Sequence, residues 1–297
     1  MMKHLINLMR NLVIPYLNRE YMPFPLDKKI CSGWARDLPR GGDTIIYTGC
    51  MYQSASILAL IEKYLPIIYK STFLQKLFPL MKILKPNSNE IERAYRILNN
   101  ISTMLMKNNI KFGYLYEEEP YSGALLLELG LLNEFKEYSL NLIKFFKSKG
   151  VKKIITVDPH SYHALLKAKE LHNAELEIYN YLEFINNNIK SLINTNEKFV
   201  IHDSCLYYRF HNFRKYKEII EKAGFEVQED WLTSSKENGI CCGYPIHLID
   251  KELSEKIAKC RVNQLNKISK NIIVVCPFCY LSLSKFSKIV DIAEILG

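Results

Sequence analysis

The sequence predicts an α/β fold with mainly parallel strands, built as two pseudo-repeated halves with a helical insertion in the first. Three observations carry this reading. Short β-branched runs alternate with segments of helical period, the order that gives parallel sheets joined by crossover helices. A strand running into a cysteine occurs twice, at I-I-Y-T-G-C (Cys50) and V-I-H-D-S-C (Cys205). C-C-G at 241–243 has a counterpart in Y-S-G at 121–123, offset by 120, and I-I-V-V-C-P-F-C-Y has one in I-I-T-V-D-P-H-S-Y, offset by 118. Offsets that agree within two residues mark a duplication.

Residues 1–43 read as a basic amphipathic helix, an irregular P-F-P stretch and a leader, W-A-R-D-L-P-R-G-G-D. The first half, 44–173, opens on a strand at Thr44–Thr48. Residues 53–85 have helical period but are broken by Pro66 and Pro79 and studded with Lys63, Lys70, Lys76, Lys82 and Lys85. A turn at 86–90 leads to a helix that starts near Ser88 and runs to about 108. There follow a short strand at 111–116, helices at 122–131 and 134–148, a strand at 153–157 and a helix at 160–171. The second half, 174–297, repeats the alternation: strands at 176–179, 199–202, 225–229 and 272–275, with helices at 180–193, 207–223, 248–268 and 278–287. Between Cys50 and Tyr121 lie 70 residues, against 35 between Cys205 and Cys241. The surplus matches the Pro-broken segment, so about 53–88 reads as an insertion. It suits either an amphipathic hairpin packed on the fold or a basic apolar surface against a membrane face or a partner subunit.

At 297 residues and 48% hydrophobic content the chain can build two cores. Eight cysteines are too few for a disulfide scaffold, and the N-terminal stretch lacks a secretory h-region and cleavage site. A reducing, cytoplasmic setting is therefore expected, peripheral on the inner face of the membrane if the basic insertion lies there. No 18-residue apolar run crosses a bilayer. The net charge of +9 is spread along the chain without a nucleic-acid motif, which excludes nucleic acid as the expected partner.

Five of the eight cysteines fall at Cys205, Cys241, Cys242, Cys276 and Cys279. Zinc is satisfied by four ligands and would leave one thiol over. Four irons in a sulfide cluster each need a terminal ligand, and a fifth thiolate can bridge, so the count favours iron and sulfur. Zinc remains the less favoured occupant. A metal-free site, with a Cys241–Cys242 disulfide and a Cys276/Cys279 redox pair, would leave Cys205 without a role. Gly243 permits positive φ or close backbone approach, Pro277 fixes the turn into the next helix, and His202 with Asp203 sets the turn before Cys205. In the first half Tyr121, Ser122, Asp158 and Ser161 stand at four of the five matching places and only Cys50 survives, so that site reads as dismantled. His160 and His163 beside Asp158 are a weaker metal pair. Cys31 and Cys260, without motifs, read as buried small hydrophobes.

The pattern C-x35-C-C-G-x32-C-P-x-C, with Arg261 in the helix after C-C-G, resembles the cysteine-rich CCG domain. Heterodisulfide reductase catalytic subunits share that domain, as do the iron–sulfur subunits of glycolate, lactate and glycerol-3-phosphate oxidoreductases and the anchor subunit of some archaeal succinate dehydrogenases. The resemblance implies one noncubane [4Fe-4S] cluster on Cys205, Cys241, Cys242, Cys276 and Cys279, with His202, Gly243, Tyr244 and Pro277 around it. The family's ferredoxin motif, C-x2-C-x2-C-x3-C-P, is missing, which implies a ferredoxin-like partner subunit with cubane [4Fe-4S] clusters, and a flavoprotein beyond it. The expected function is that of an iron–sulfur subunit of a heterodisulfide-reductase-like complex working on thiols and disulfides. The alternatives are electron transfer from a flavin-linked dehydrogenase towards quinone, and a zinc-stabilised structural subunit.

Overall fold

The strands form where β-branched runs can be buried on both faces, as I-I-Y, I-I-T, F-V-I and I-I-V are in the computed structural model of the chain. It describes residues 2–57, 76, 78–83, 87–185, 189–194, 196–230 and 239–297. The chain divides into two units. One holds Met1–Tyr95, Phe112–Ile154 and Ala164–Ile178; the other holds Arg96–Lys111, Ile155–His163 and Tyr179–Gly297.

In the first unit, α1 (Met2–Leu8), α2 (Ile14–Glu20) and α3 (Lys28–Ser32) precede β1 (Thr44–Tyr47), and residues 51–57 are helical. Next come α4 (Ser88–Lys107), α5 (Ala124–Glu128), α6 (Leu132–Ser148), β2 (Lys153–Thr156), α7 (Pro159–His172) and β3 (Glu177–Asn180), several of which cross the division between units. Helix α6 buries Phe135, Tyr138, Leu142 and Phe146 at helical spacing, and Phe146 meets Tyr47 of β1 edge-on at 5.8 Å.

The second unit contains β4 (Lys198–His202), α8 (Tyr216–Lys222), β5 (Glu226–Val227), α9 (Lys251–Leu265), β6 (Asn271–Val274), α10 (Pro277–Leu283), β7 (Ile289–Asp291) and α11 (Ile292–Ile295). Its sheet has the order β5-β4-β6-β7, every pair parallel. The other sheet has the order β1-β2-β3, and parallel bridges from Arg40 to Tyr114 and Ile45 to Gly113 set residues 113–114 alongside β1. Residues 113–114, β1, β2 and β3 thus occupy the same four places as β5, β4, β6 and β7. The duplication read from the sequence is present in the topology, and the fold is mixed α/β with mostly parallel strands.

Some expected elements came out differently. The strand at 111–116 is reduced to bridges, because leader residues 39–41 take its hydrogen bonds: Tyr114 N donates to Pro39 O and Gly41 N to Tyr114 O. That approach requires glycine at 113, where a Cβ would lie 1.7 Å from Gly41 O. The helix expected at 180–193 is, in its described part, one short turn at Tyr181–Glu183; Lys190 and Leu192 donate instead to Gly297 and Ile295. The helix expected at 207–223 is broken at Asn212, which adopts φ 50° between a π-helical turn at Leu206–Phe210 and α8. Strand β7 and helix α11 are too short to have a periodic signal; Asp291 and Glu294 make a capping box that starts α11.

Of the insertion expected at 53–88, residues 58–75, 77 and 84–86 lie outside the described residues, so its membrane-facing or partner-facing reading is not placed. Among the described residues no helix is long and apolar enough to cross a membrane.

Candidate metal centre

Each of the five cysteines sits where a strand of the second sheet ends or a turn is forced. Cys205 follows β4 and begins the π-helical turn, while Cys276 follows β6 and caps α10, whose first residue is Pro277. Proline suits that position because its missing N–H would have no partner there. Cys279 lies one turn into α10. Cys241 and Cys242 are brought in by Gly243, which takes φ 84° and starts the turn Tyr244–Ile246. A side chain at 243 would meet Ser254 O at 2.6 Å. Ser254 Oγ donates to Gly243 O (2.9 Å) and Ser282 Oγ to Cys242 O (2.7 Å), pinning this loop to α9 and α10. Gly123, the repeat counterpart of Gly243, has φ 83°.

The sulfur atoms form an unbroken chain of neighbours, Cys205 to Cys241 to Cys242 to Cys279 to Cys276. Cys242, Cys276 and Cys279 are buried, and Cys205 and Cys241 are half-buried. Hydrogen bonds from Cys205 and Cys242, with Gly243 N–H at 3.4 Å, pull Cys241 down to about 2. Burial works against ionisation of Cys276, yet hydrogen bonds from Cys279 and His160 outweigh it and hold that thiol at about 5. Cys205 and Cys242, each giving a hydrogen bond to Cys241, are pushed up, as is Cys279 beside Cys242 and Cys276. The five thiols thus share protons along the chain, Cys241 and Cys276 being lowered and their neighbours raised. This is the chemistry of a soft-metal donor set, in which a cation replaces the shared protons.

His202, at the end of β4, has a ring nitrogen within 4.8 Å of the Cys242 and Cys279 sulfurs, and the three donors lie within that distance of one another. Arg261 Nε donates to His202 Nδ1 (3.1 Å), which places the ring proton on Nε2. Burial, with Arg261 alongside, pushes His202 down to about 3, so the imidazole is neutral. Arg261 itself is fully buried on α9 and also reaches Gln264 Oε1 at 3.2 Å. Asp203 anchors the turn before Cys205, accepting from Arg214 Nε (2.8 Å) and Tyr216 OH (2.5 Å). Tyr244 stacks on Phe278 at 4.6 Å and on His247 at 5.7 Å, and Gly243 and Pro277 are buried beside the cysteines that they adjoin in sequence.

The first-half counterparts form no such group. Cys50 is disulfide-bonded to Cys31. Both are buried, but Cys31 is not the unpaired hydrophobe its sequence context suggested. The Tyr121 hydroxyl and Ser122 Oγ accept from Leu125 N and Ala124 N. Asp158 Oδ1 accepts from His160 N and Ser161 N at 2.9 Å each, capping α7. Glu119 fills the end of β1, accepting from Thr48 N (2.7 Å), Thr48 Oγ1 (2.9 Å) and Gly49 N (2.5 Å). Burial pushes Glu119 up to about 8 despite these bonds.

The weaker histidine pair is split. His160 Nε2 lies 3.2 Å from Cys276 Sγ, while His163 Nδ1 is 2.9 Å from His211 Nε2. Cys260 is exposed, not buried, because it lies off the stripe of Ser254, Ala258, Arg261, Val262 and Leu265 that α9 turns inward. Sequence reasoning also missed Glu119 and the contact of His160 with Cys276. The second had a signal, since D-P-H-S places His160 at the repeat position of Phe278.

Residues 199–284 match the cysteine-rich domain named CCG. The chain is 30% identical over 233 residues to "EtfAB:quinone oxidoreductase" of Syntrophomonas wolfei subsp. wolfei, covering 69% of this chain and 32% of that protein. It is 28% identical over 204 residues to "Probable iron-sulfur-binding oxidoreductase FadF" of Bacillus subtilis, with 66% and 29% covered. To "Probable membrane-anchored ferredoxin" of Chromohalobacter salexigens it is 23% identical over 229 residues, with 69% and 34% covered. The chain spans about a third of the length of these curated relatives. Among solved structures, glutamate racemase from Aquifex pyrophilus aligns at 17% identity and a TM-score of 0.29 over 67% of this chain and 75% of that one, too slight a likeness to argue from. With its five thiols assembled around C-C-G and the domain matched across them, residues 199–284 carry a cysteine-rich CCG domain, and the chain is similar to iron–sulfur oxidoreductases.

Proposed function

We propose that this chain is the electron-transfer component of a larger redox complex that carries electrons from a flavoprotein towards quinone. In this reading one noncubane [4Fe-4S] cluster is held by Cys205, Cys241, Cys242, Cys276 and Cys279, one sulfur bridging. The observation that carries it is the unbroken chain of five sulfur atoms, three buried and two reaching towards the surface. When bound, such a cluster supplies reversible one-electron chemistry. The chain's own groups serve that chemistry: Gly243 N–H bonds Cys241, His202 turns its Nε2–H inward, and Arg261 sets a buried positive charge behind it. Tyr244 stacks on Phe278 of the C-P-F-C turn, and the half-buried Cys205–Cys241 edge is left for a partner.

A ferredoxin-like subunit with cubane clusters is the expected neighbour on that edge, with a flavoprotein beyond. The names of relatives that mention quinone and a membrane-anchored ferredoxin support the direction of the path. A quinone acceptor would set the complex at the cytoplasmic face of a membrane. Heterodisulfide-type thiol chemistry fits less well, because four of the five matching places in the first half hold no thiol and Cys50 is tied to Cys31. A structural zinc is the reading that the close grouping of His202, Cys242 and Cys279 supports.

Iron, sulfide and zinc analysis of anaerobically purified protein, with EPR of both redox states, separates these. About four irons with matching sulfide is the expected result; one zinc and no iron would sink the proposal. Cys241→Ala and Cys276→Ala are expected to lose the iron, whereas Cys31→Ala and Cys260→Ala keep it. Equal loss from all four would show the ligand assignment to be wrong.

A further inference from the structure

The D-P-H-S turn at residues 158–161 belongs to the half whose thiols are gone, yet it lies in the same unit as the five cysteines. Its repeat counterpart is the C-P-F-C turn at 276–279, and the two turns meet through equivalent residues. His160 stands edge-on to Phe278, ring centroids 4.7 Å apart at 90°, and His160 Nε2 is 3.2 Å from Cys276 Sγ. The imidazole is buried, and Asp158 fixes the backbone that bears it by accepting from the N–H groups of His160 and Ser161. A metal-bound thiolate can only accept, so the nitrogen facing it must carry a proton.

We propose that His160 is a positioning residue contributed by the degenerate half: its Nε2–H donates a hydrogen bond to Cys276 Sγ and stabilises the more negative, reduced state of the group held by the five cysteines. The inference rests on the cluster reading above. A hydrogen bond to a ligand sulfur favours the reduced form over the oxidised one, so its presence raises the reduction potential. The first half lost its ligands at Tyr121, Ser122, Asp158 and Ser161, but on this account it kept a working part in the remaining site. That part is a donor placed where the second half has only the ring of Phe278.

The test compares the anaerobically purified full chain with His160→Phe and His160→Ala, which remove the donor, and with His160→Gln, which restores one. Iron content, EPR line shape and the midpoint of a redox titration are read for each. The expected result is wild-type iron, an altered EPR line shape and a lower midpoint in His160→Phe and His160→Ala, with His160→Gln shifted back towards wild type. Either donor-less variant that keeps its iron is enough for the comparison. An unchanged midpoint in such a variant overturns the proposal while leaving the cluster reading intact. Loss of iron from all three variants also overturns it, since His160 would then be needed for assembly. Wild-type protein without iron overturns the cluster reading and this proposal with it.

Discussion

Burial holds single residues of this chain uncharged in opposite ways, one by keeping its proton and another by losing it. Glu119 is completely enclosed, and desolvation keeps its proton on up to about pH 8, against 4.5 for a free glutamate. The folded state therefore binds a proton that the unfolded chain has already released. The stability this proton supports is intact below about pH 4.5 and falls as pH rises to about 8. Glu119→Gln keeps a carbonyl oxygen facing Thr48 and Gly49 but cannot ionise. We expect it to be more stable than wild type at pH 9, by up to about 5 kcal/mol, and close to wild type at pH 5. Urea unfolding at the two pH values checks this, and equal pH slopes in the two proteins would refute it. His202 is the mirror case: burial and Arg261 remove its proton, leaving a neutral donor towards the sulfurs.

At the scale of elements, the site depends on turns more than on helices. Cys276 and Cys279 are delivered by a proline-started helix, a signal visible in C-P-F-C. Cys241 and Cys242 arrive on a loop whose course is set by one left-handed glycine packed against α9. Gly243→Ala adds both an unfavourable φ and a Cβ 2.6 Å from Ser254 O. It should cost about 3 kcal/mol and reduce bound iron. Gly224→Ala, at φ 94° with nothing within 4 Å of the added Cβ, should cost about 1 kcal/mol and leave iron unchanged. Similar losses in the two variants, by thermal melts and iron assay, would mean that the packing against α9 is unimportant. The strand ends and the five-cysteine window were legible in the sequence because β-branched runs and the C-C-G and C-P-x-C patterns are local. The Cys31–Cys50 bond, the Glu119 anchor and the break at Asn212 were not. They depend on which segments meet: Cys31 of α3 reaches Cys50 just past the end of β1, and Glu119 crosses 71 residues to Thr48.

For the molecule as a whole, the second unit gathers the candidate metal centre and most of the second half, and its parallel sheet positions every turn of the five-cysteine set on β4, β6 or the loop into α9. A group bound across those turns ties them together, so removing it should loosen that unit more than the first. Stripping the metal with an oxidant and chelator is expected to lower stability by upward of about 3 kcal/mol. It should also speed amide exchange around 202–205, 239–244 and 276–283 while leaving α6 unchanged. Uniform exchange across both units would contradict this. The sequence by itself determined the duplicated α/β plan, the surviving thiol set and the lost one, because a repeat and a ligand spacing are properties of the chain alone. Only the tertiary structure decided what the lost half does now. Cys31 with Cys50, Glu119 with Thr48 after β1, and His160 with Cys276 are pairs 19, 71 and 116 residues apart, and no local pattern encodes the contact of side chains that only the packed sheets bring within reach.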